Sequence, residues 1–248
     1  MCQTCGCGDP SLVPVEIHDK ILAENDRVAR HNREHFAEHG VLAINLMGSP
    51  GSGKTAILES TGRTLAGGRL VRAITGDLAT HRDAERLDAA GIPLVPITTG
   101  TTCHLDAELV HRALHHVPLD GLHYLFIENV GNLVCPAVYD LGQSSNVVVL
   151  SVTEGEDKPL KYPGMFQKAD LVLLTKIDLL PYLEVRVEHV LDSLSRVMPR
   201  PVMLPVSART GEGMFRWMQW LGERRSQSPL LDLRSPAAPR SPVPGGAP

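Results

Sequence analysis

Gly48-Ser49-Pro50-Gly51-Ser52-Gly53-Lys54-Thr55 stands directly after an apolar run, Val41 to Met47, and opens into a helical stretch that begins near Lys54. The octet fits GxxxxGK[ST], and the chemistry explains the spacing. Glycines let successive backbone N–H groups turn inward around phosphate oxygens, and the start of the helix adds positive potential. Gly48, Gly51, Ser52 and Gly53 therefore form a phosphate cradle, with Lys54 placed to reach the β- and γ-phosphates and the Thr55 hydroxyl to ligate Mg²⁺.

Outward from this loop the chain alternates short β-rich runs with helical spacers. The runs are Val41 to Met47, Leu70 to Ile74, Ile92 to Ile97, Tyr124 to Ile127, Val147 to Val152, Leu171 to Leu174 and Val202 to Val206. Their near-continuous hydrophobicity predicts strands buried on both faces, joined by crossovers. The expected fold is α/β, a P-loop NTPase with a mostly parallel central sheet of about seven strands flanked by helices. Val15 to His39, closed by Gly40, reads as an amphipathic helix ahead of it. Three segments follow: a metal-binding tail at 1–11, a nucleotide domain at 12–224, and a Pro-rich tail at 225–248, expected to be disordered.

Composition removes several classes. A formal net charge of -4 gives no electrostatic reason for a nucleic-acid partner. No apolar run approaches the roughly 20 residues of a membrane helix, so no membrane role is expected. The start, Met1-Cys2-Gln3-Thr4-Cys5, has neither basic region nor apolar core, so the expected compartment is the cytoplasm. Five cysteines in a reducing compartment read as thiols or metal ligands.

Two later segments bear on the base. Thr175-Lys176-Ile177-Asp178 and Ser207-Ala208-Arg209-Thr210-Gly211 each follow an expected strand, and they resemble the NKxD and SAK elements of GTPases. That resemblance implies an Asp178 carboxylate accepting from guanine N1–H and the 2-amino group, Lys176 beside it, and a backbone amide of the Ser207-Ala208 turn at O6. Thr175 replaces the usual Asn, removing a side-chain amide that ties the base loop together. Gly76-Asp77 and Glu128-Asn129 close two other strands, where carboxylates face bound phosphate and Mg²⁺. Lys54, Asp77 and Glu128 are the candidate catalytic residues, with Thr55, Asp77 and Glu128 around the Mg²⁺. Helix capping is the competing role for Asp77. No arginine finger is identifiable, so slow turnover is expected.

Thiolate and imidazole form a second constellation. Cys103-His104 ends the third strand and Cys135 follows the fourth, on the same sheet edge as the phosphate loop. These donors suit Zn²⁺ or Ni²⁺, and three are too few for a closed structural site. Cys2, Cys5 and Cys7 form CxxCxC, which can wrap one soft or borderline ion; redox chemistry at Cys2 and Cys5 is the alternative. His111, His115 and His116 read as a solvated helix face, and His31, His35 and His39 as surface residues with the spacing of a weak metal stripe.

The full set of motifs, CxxCGC, GSPGSGKT, GDLAT, TTCHLDA, IENVGNLVCPAVYDLG, SVTEGEDKPLKYP, TKID and SARTG, resembles the HypB family of hydrogenase nickel-incorporation GTPases from Met1 to about Gly222. The resemblance implies a GTP-favoured homodimer that delivers nickel during maturation of nickel-iron hydrogenase, with a maturation partner protein and the hydrogenase large subunit downstream. It implies a nickel site at Cys2, Cys5 and Cys7, and an interfacial, nucleotide-linked site at Cys103, His104 and Cys135. It also implies a cross-dimer role for Lys158 near the partner's nucleotide. The long His-rich N-terminal insert of some members is absent. A urease-type nickel GTPase and a metal buffer with a vestigial nucleotide site are the alternative readings.

Overall fold

The computed structural model describes residues 12–65, 70–76, 81–97 and 103–227. Cys2, Cys5, Cys7, Asp77 and the chain beyond 227 lie outside those residues, so the expectations that rest on them stay expectations.

In chain order the elements are α1 (Leu12–His39), β1 (Leu42–Met47), α2 (Lys54–Leu65), β2 (Leu70–Thr75), α3 (His81–Ala89), β3 (Leu94–Pro96) and α4 (Ala107–Leu114). Then come β4 (Leu122–Glu128), β5 (Ser145–Ser151), α5 (Lys158–Lys161), α6 (Pro163–Gln167), β6 (Leu171–Thr175), α7 (Val187–Ser195), β7 (Met203–Pro205) and α8 (Met214–Ser226). The seven strands form one sheet in the order β3-β2-β4-β1-β5-β6-β7. Every pairing is parallel.

Each expected strand is present, with no end shifted by more than two residues. β3, as short as β7 at the opposite edge, keeps only Leu94–Pro96 of the expected Ile92 to Ile97, because at the sheet edge it has a single neighbour, β2. The last helix runs to Ser226, and Arg225 donates 2.7 Å to the His123 carbonyl. Arg225 and Ser226, placed in the tail from sequence, therefore belong to the helical body.

The alternation of side chains along buried strands splits the core in two. Leu42, Ile44 and Leu46 of β1 face Ile57 and Leu58 of α2 and Trp217 of α8 on one side of the sheet. Ala43 of β1, with Ile74, Leu125 and Ile127, faces Phe36 of α1 and Val110 of α4 on the other. Met47 continues that second side toward Phe166 of α6 and Leu194 of α7.

Two buried asparagines lock α1 to the loops at the carboxyl edge. Asn25 Nδ2 donates to the Asp140 carbonyl (2.8 Å) while its Oδ1 accepts from Ala107 N (2.9 Å). Asn32 Nδ2 donates to the Ala107 carbonyl (2.9 Å) and the Leu141 carbonyl (3.2 Å). Buried amides satisfied on backbone partners specify one position for the helix. The consequence is a rigid seat for the start of α4 and for the segment between β4 and β5.

Candidate nucleotide and metal site

The phosphate loop begins where β1 ends, between β4 and β5, at the topological switch point of the sheet. A Cβ on Gly48 would lie 2.3 Å from the Val149 carbonyl oxygen, so only glycine lets the chain leave the sheet here. Gly53 has φ +103, a conformation that turns its amide into the loop. Lys54 is 3% exposed, and its ammonium donates to the Gly48 and Ser49 carbonyls, both at 3.3 Å. It arches back over the loop it must serve.

Glu128 ends β4 beside both β1 and β2, in register with Leu46 and Thr75. Its buried carboxylate accepts from Thr55 Oγ1 at 2.7 Å and from Thr75 Oγ1 at 3.3 Å. Thr55 and Glu128 thus present adjacent hard oxygen donors, a set that suits Mg²⁺. The role of Thr75 was not read from sequence; its place as the last residue of a strand next to β4 is the signal that was available.

The base segment closes against the phosphate loop. Thr175 Oγ1 donates 2.6 Å to the Ser52 carbonyl, and Lys176 Nζ donates 2.7 Å to the Gly51 carbonyl. The tie that the missing Asn amide left in question is therefore made by a hydroxyl. Lys176 is in the left-handed region (φ 60), the only non-glycine so placed among the described residues, and such strain gathers at functional turns. Asp178 Oδ1 accepts from Ser207 Oγ at 2.7 Å, and Arg209 lies 3.8 Å from Oδ2. Ala208 opens the turn that follows Ser207. Lys158 sits apart from these groups, paired with Glu154 at 3.5 Å and over the Tyr162 ring.

Cys103, His104 and Cys135 come together although 32 residues separate the two thiols. The sulfurs are 3.0 Å apart, Cys103 Sγ is 3.6 Å from His104 Nδ1, and all three donor atoms lie within 4.8 Å of one another. Burial lowers the His104 pKa against the opposing pull of Asp106, which favours the neutral, ligating imidazole. The hydrogen bond with Cys103, then burial, raises the Cys135 pKa, so an ion must displace a proton there. The His104 ring stacks on Tyr139 at 4.0 Å, fixing its plane. Asp106, whose side chain caps α4 by accepting from Leu109 N at 2.8 Å, holds the turn in place.

One buried residue, Asn129, links the loop of Cys103 to the segment that leads to Cys135. Asn129 Oδ1 accepts from Leu105 N and Val130 N, both at 3.0 Å, and its amide nitrogen donates 3.2 Å to Asn45 Oδ1 on β1. Asn132 Nδ2 adds a bond to the Cys103 carbonyl at 3.3 Å. Of this segment the sequence singles out Glu128, whereas the parts of Asn129 and Asn132 emerge only from the fold. The same stretch touches the phosphate loop: a Cβ on Gly131 would meet Pro50 Cγ at 2.9 Å.

One expectation is corrected. His111 is half-buried rather than on a solvated face, with its Nδ1 3.1 Å from Asn32 Oδ1, because α4 turns that side toward α1. His31 and His115 are exposed.

Comparison with known proteins agrees with this geometry. The family described as CobW/HypB/UreG, nucleotide-binding domain, matches residues 42–204. Hydrogenase maturation factor HypB of Azotobacter chroococcum mcd 1 is 51% identical over 212 residues, covering 85% of this chain and 69% of that protein. The crystal structure of HypB from Archaeoglobus fulgidus superposes with a TM-score of 0.78 at 38% identity, covering 82% of this chain and all of that one. HypB from Helicobacter pylori, crystallised in complex with nickel, gives 0.78 at 37% identity over 82% and 96%. A chain that shares this identity, fold and arrangement of loops belongs to the HypB family of hydrogenase maturation factors.

Proposed function

We propose that this chain is a GTP-hydrolysing nickel metallochaperone that assists nickel insertion during maturation of nickel-iron hydrogenase, with GTP binding coupled to homodimer formation and metal transfer. The observation that carries the coupling is the single segment from Glu128 to Cys135. It starts at a carboxylate bonded to Thr55 and ends at a thiol beside Cys103.

In this reading the backbone amides of the phosphate loop hold the triphosphate, and Lys54 leaves the Gly48 and Ser49 carbonyls to meet the β- and γ-phosphates. Thr55, Glu128 and Asp77 hold Mg²⁺, which neutralises developing phosphate charge when bound. Asp178, Lys176, Ser207 and Ala208 select guanine. Cys103, His104 and Cys135 hold nickel or zinc as cargo, and Cys2, Cys5 and Cys7 form a separate nickel site. The exposed Val134 (58%) and Val138 (38%) flank Cys135, an apolar rim suited to a second copy of the chain. Lys158 reaches across that interface. Among the described residues no helix is long and apolar enough to cross a membrane.

The test is anaerobic nickel stoichiometry and dimer fraction measured side by side with GDP and with a non-hydrolysable GTP analogue. A nucleotide-dependent change in either quantity supports the coupled reading. Identical curves with intact GTP turnover refute it and favour a metal buffer.

A further inference from the structure

Away from the thiols, His31 and His35 stand one turn apart on α1, His111 lies on α4 and His115 caps its end one turn later, and the packing of the helices brings them into one cluster. His31 and His35 of α1 present Nε2 atoms 3.1 Å apart. The His111 ring of α4 lies 5.1 Å from the His31 ring and 6.0 Å from the His35 ring, and the His115 ring lies 5.2 Å from that of His111. We propose that His31, His35 and His111, with His115 within reach, form a further binding site for a borderline divalent transition ion such as Ni²⁺ or Zn²⁺, separate from the cysteine sites.

Two features support an ion rather than a chance stack of rings. Two nitrogens that share an ion at about 2.0–2.1 Å stand about 3–3.4 Å apart, and His31 and His35 already hold that spacing. Second, the tautomer of His111 is set. Asn32 spends its amide hydrogens on the Ala107 and Leu141 carbonyls, so its Oδ1 faces His111 and accepts the Nδ1 proton. The lone pair is then on Nε2, as in metal sites where an outer hydrogen bond orients the ligand.

Closing on an ion requires the His31 and His35 rings to rotate toward His111. His31 is exposed and His35 half-buried, so packing leaves them that freedom. Glu34, 3.9 Å from His31, and Glu108, near His111, set negative charge beside the cluster. Arg27 and Arg30 line a cavity shared with His31, Glu34, Glu108 and His111, and Arg27 is held by Glu24, which limits its repulsion of the ion. His111 stands one turn into the helix that Cys103-His104 leads into, roughly 6 Å along the axis from Ala107. An imidazole station would thus lie on the helix that follows the thiolate loop.

The experiment is anaerobic equilibrium dialysis of Ni²⁺ against the reduced full-length chain and against its His31→Ala/His35→Ala variant, both substitutions lying outside the core. The parent is expected to bind one more equivalent at micromolar Ni²⁺, with affinity for that equivalent falling at least tenfold in the variant. The near-ultraviolet thiolate-to-nickel absorption should be the same in both. His111→Ala should remove the same equivalent, and Cys103→Ser/Cys135→Ser should retain it. Equal stoichiometry in the parent and the His31→Ala/His35→Ala variant would overturn the site, leaving the 3.1 Å contact as a hydrogen bond between rings. Loss of thiolate absorption alongside the equivalent would overturn it too, by assigning the change to the cysteines.

Discussion

Gly48, the first residue of the phosphate loop, pairs with Asn132 of the cysteine-bearing loop as an isolated antiparallel bridge. Backbone pairing between the two loops leaves little room for one to move alone. Beside the bridge Gly131 is pressed on Pro50, and Asn132 itself also holds the Cys103 carbonyl. Only three positions along the chain separate the bridge residue Asn132 from Cys135.

Gly131→Ala tests that contact. The added methyl would sit 2.9–3.1 Å from Pro50 atoms, two of them backbone, so the loops must separate. Nucleotide affinity and nickel affinity at Cys103, His104 and Cys135 should both fall, by about tenfold each; isothermal titrations of the two ligands on one preparation check it. A fall in only one of them contradicts a shared segment.

Asn129→Ala leaves Leu105 N and Val130 N without their side-chain acceptor in a buried position. Loss of a buried partner costs about 1–3 kcal/mol. Urea unfolding should show that loss, and nickel affinity should weaken even under conditions where the variant is fully folded.

Thr175→Val keeps shape and deletes the 2.6 Å bond to the Ser52 carbonyl. GDP affinity should drop several-fold, measured with a fluorescent analogue. Thr175→Asn, which supplies the residue of the usual base motif, should recover part of it. Unchanged affinity in Thr175→Val would mean that the hydroxyl tie is irrelevant to the base loop.

Glu156 gives the pH prediction. The Arg186 backbone N–H, donating at 2.6 Å, and then His189 at 3.0 Å lower its pKa. A depressed carboxylate stabilises the fold above its ordinary pKa, and that contribution is lost as pH falls through the depressed folded value. The parent should melt above Glu156→Gln at pH 7, with the gap closing under acid below the ordinary carboxylate range. Thermal unfolding across pH 3 to 7 reads it, and a gap independent of pH argues against the assignment.

Trp217 closes the opposite face. Its Nε1 donates 2.8 Å to Thr61 Oγ1 inside the core. Trp217→Phe should destabilise by about 1–3 kcal/mol with nickel binding unchanged, since the residue is on the far side of the sheet from Cys103.

Much of this was legible in sequence because it depends on local rules. Glycine spacing after an apolar run decides a phosphate loop, and continuous hydrophobic runs of strand length decide a parallel sheet buried on both faces. Cys103, His104 and Cys135 declared themselves by donor chemistry. Their convergence followed once both were placed after strands on one edge.

What only the tertiary structure decided lies between segments far apart in the chain. Thr175 could be read as a missing amide, but only strand order puts its hydroxyl on Ser52. Asn129 and Asn132 look like loop residues until the Cys103 loop packs beside them. The histidines of α1 and α4 have ordinary helical spacing in sequence, and 76 residues separate His35 from His111. Helix packing, directed by Asn25 and Asn32, makes them neighbours. Period and composition fix which face a residue takes; which other face it meets is settled by the three-dimensional order of the strands and the helices laid upon them.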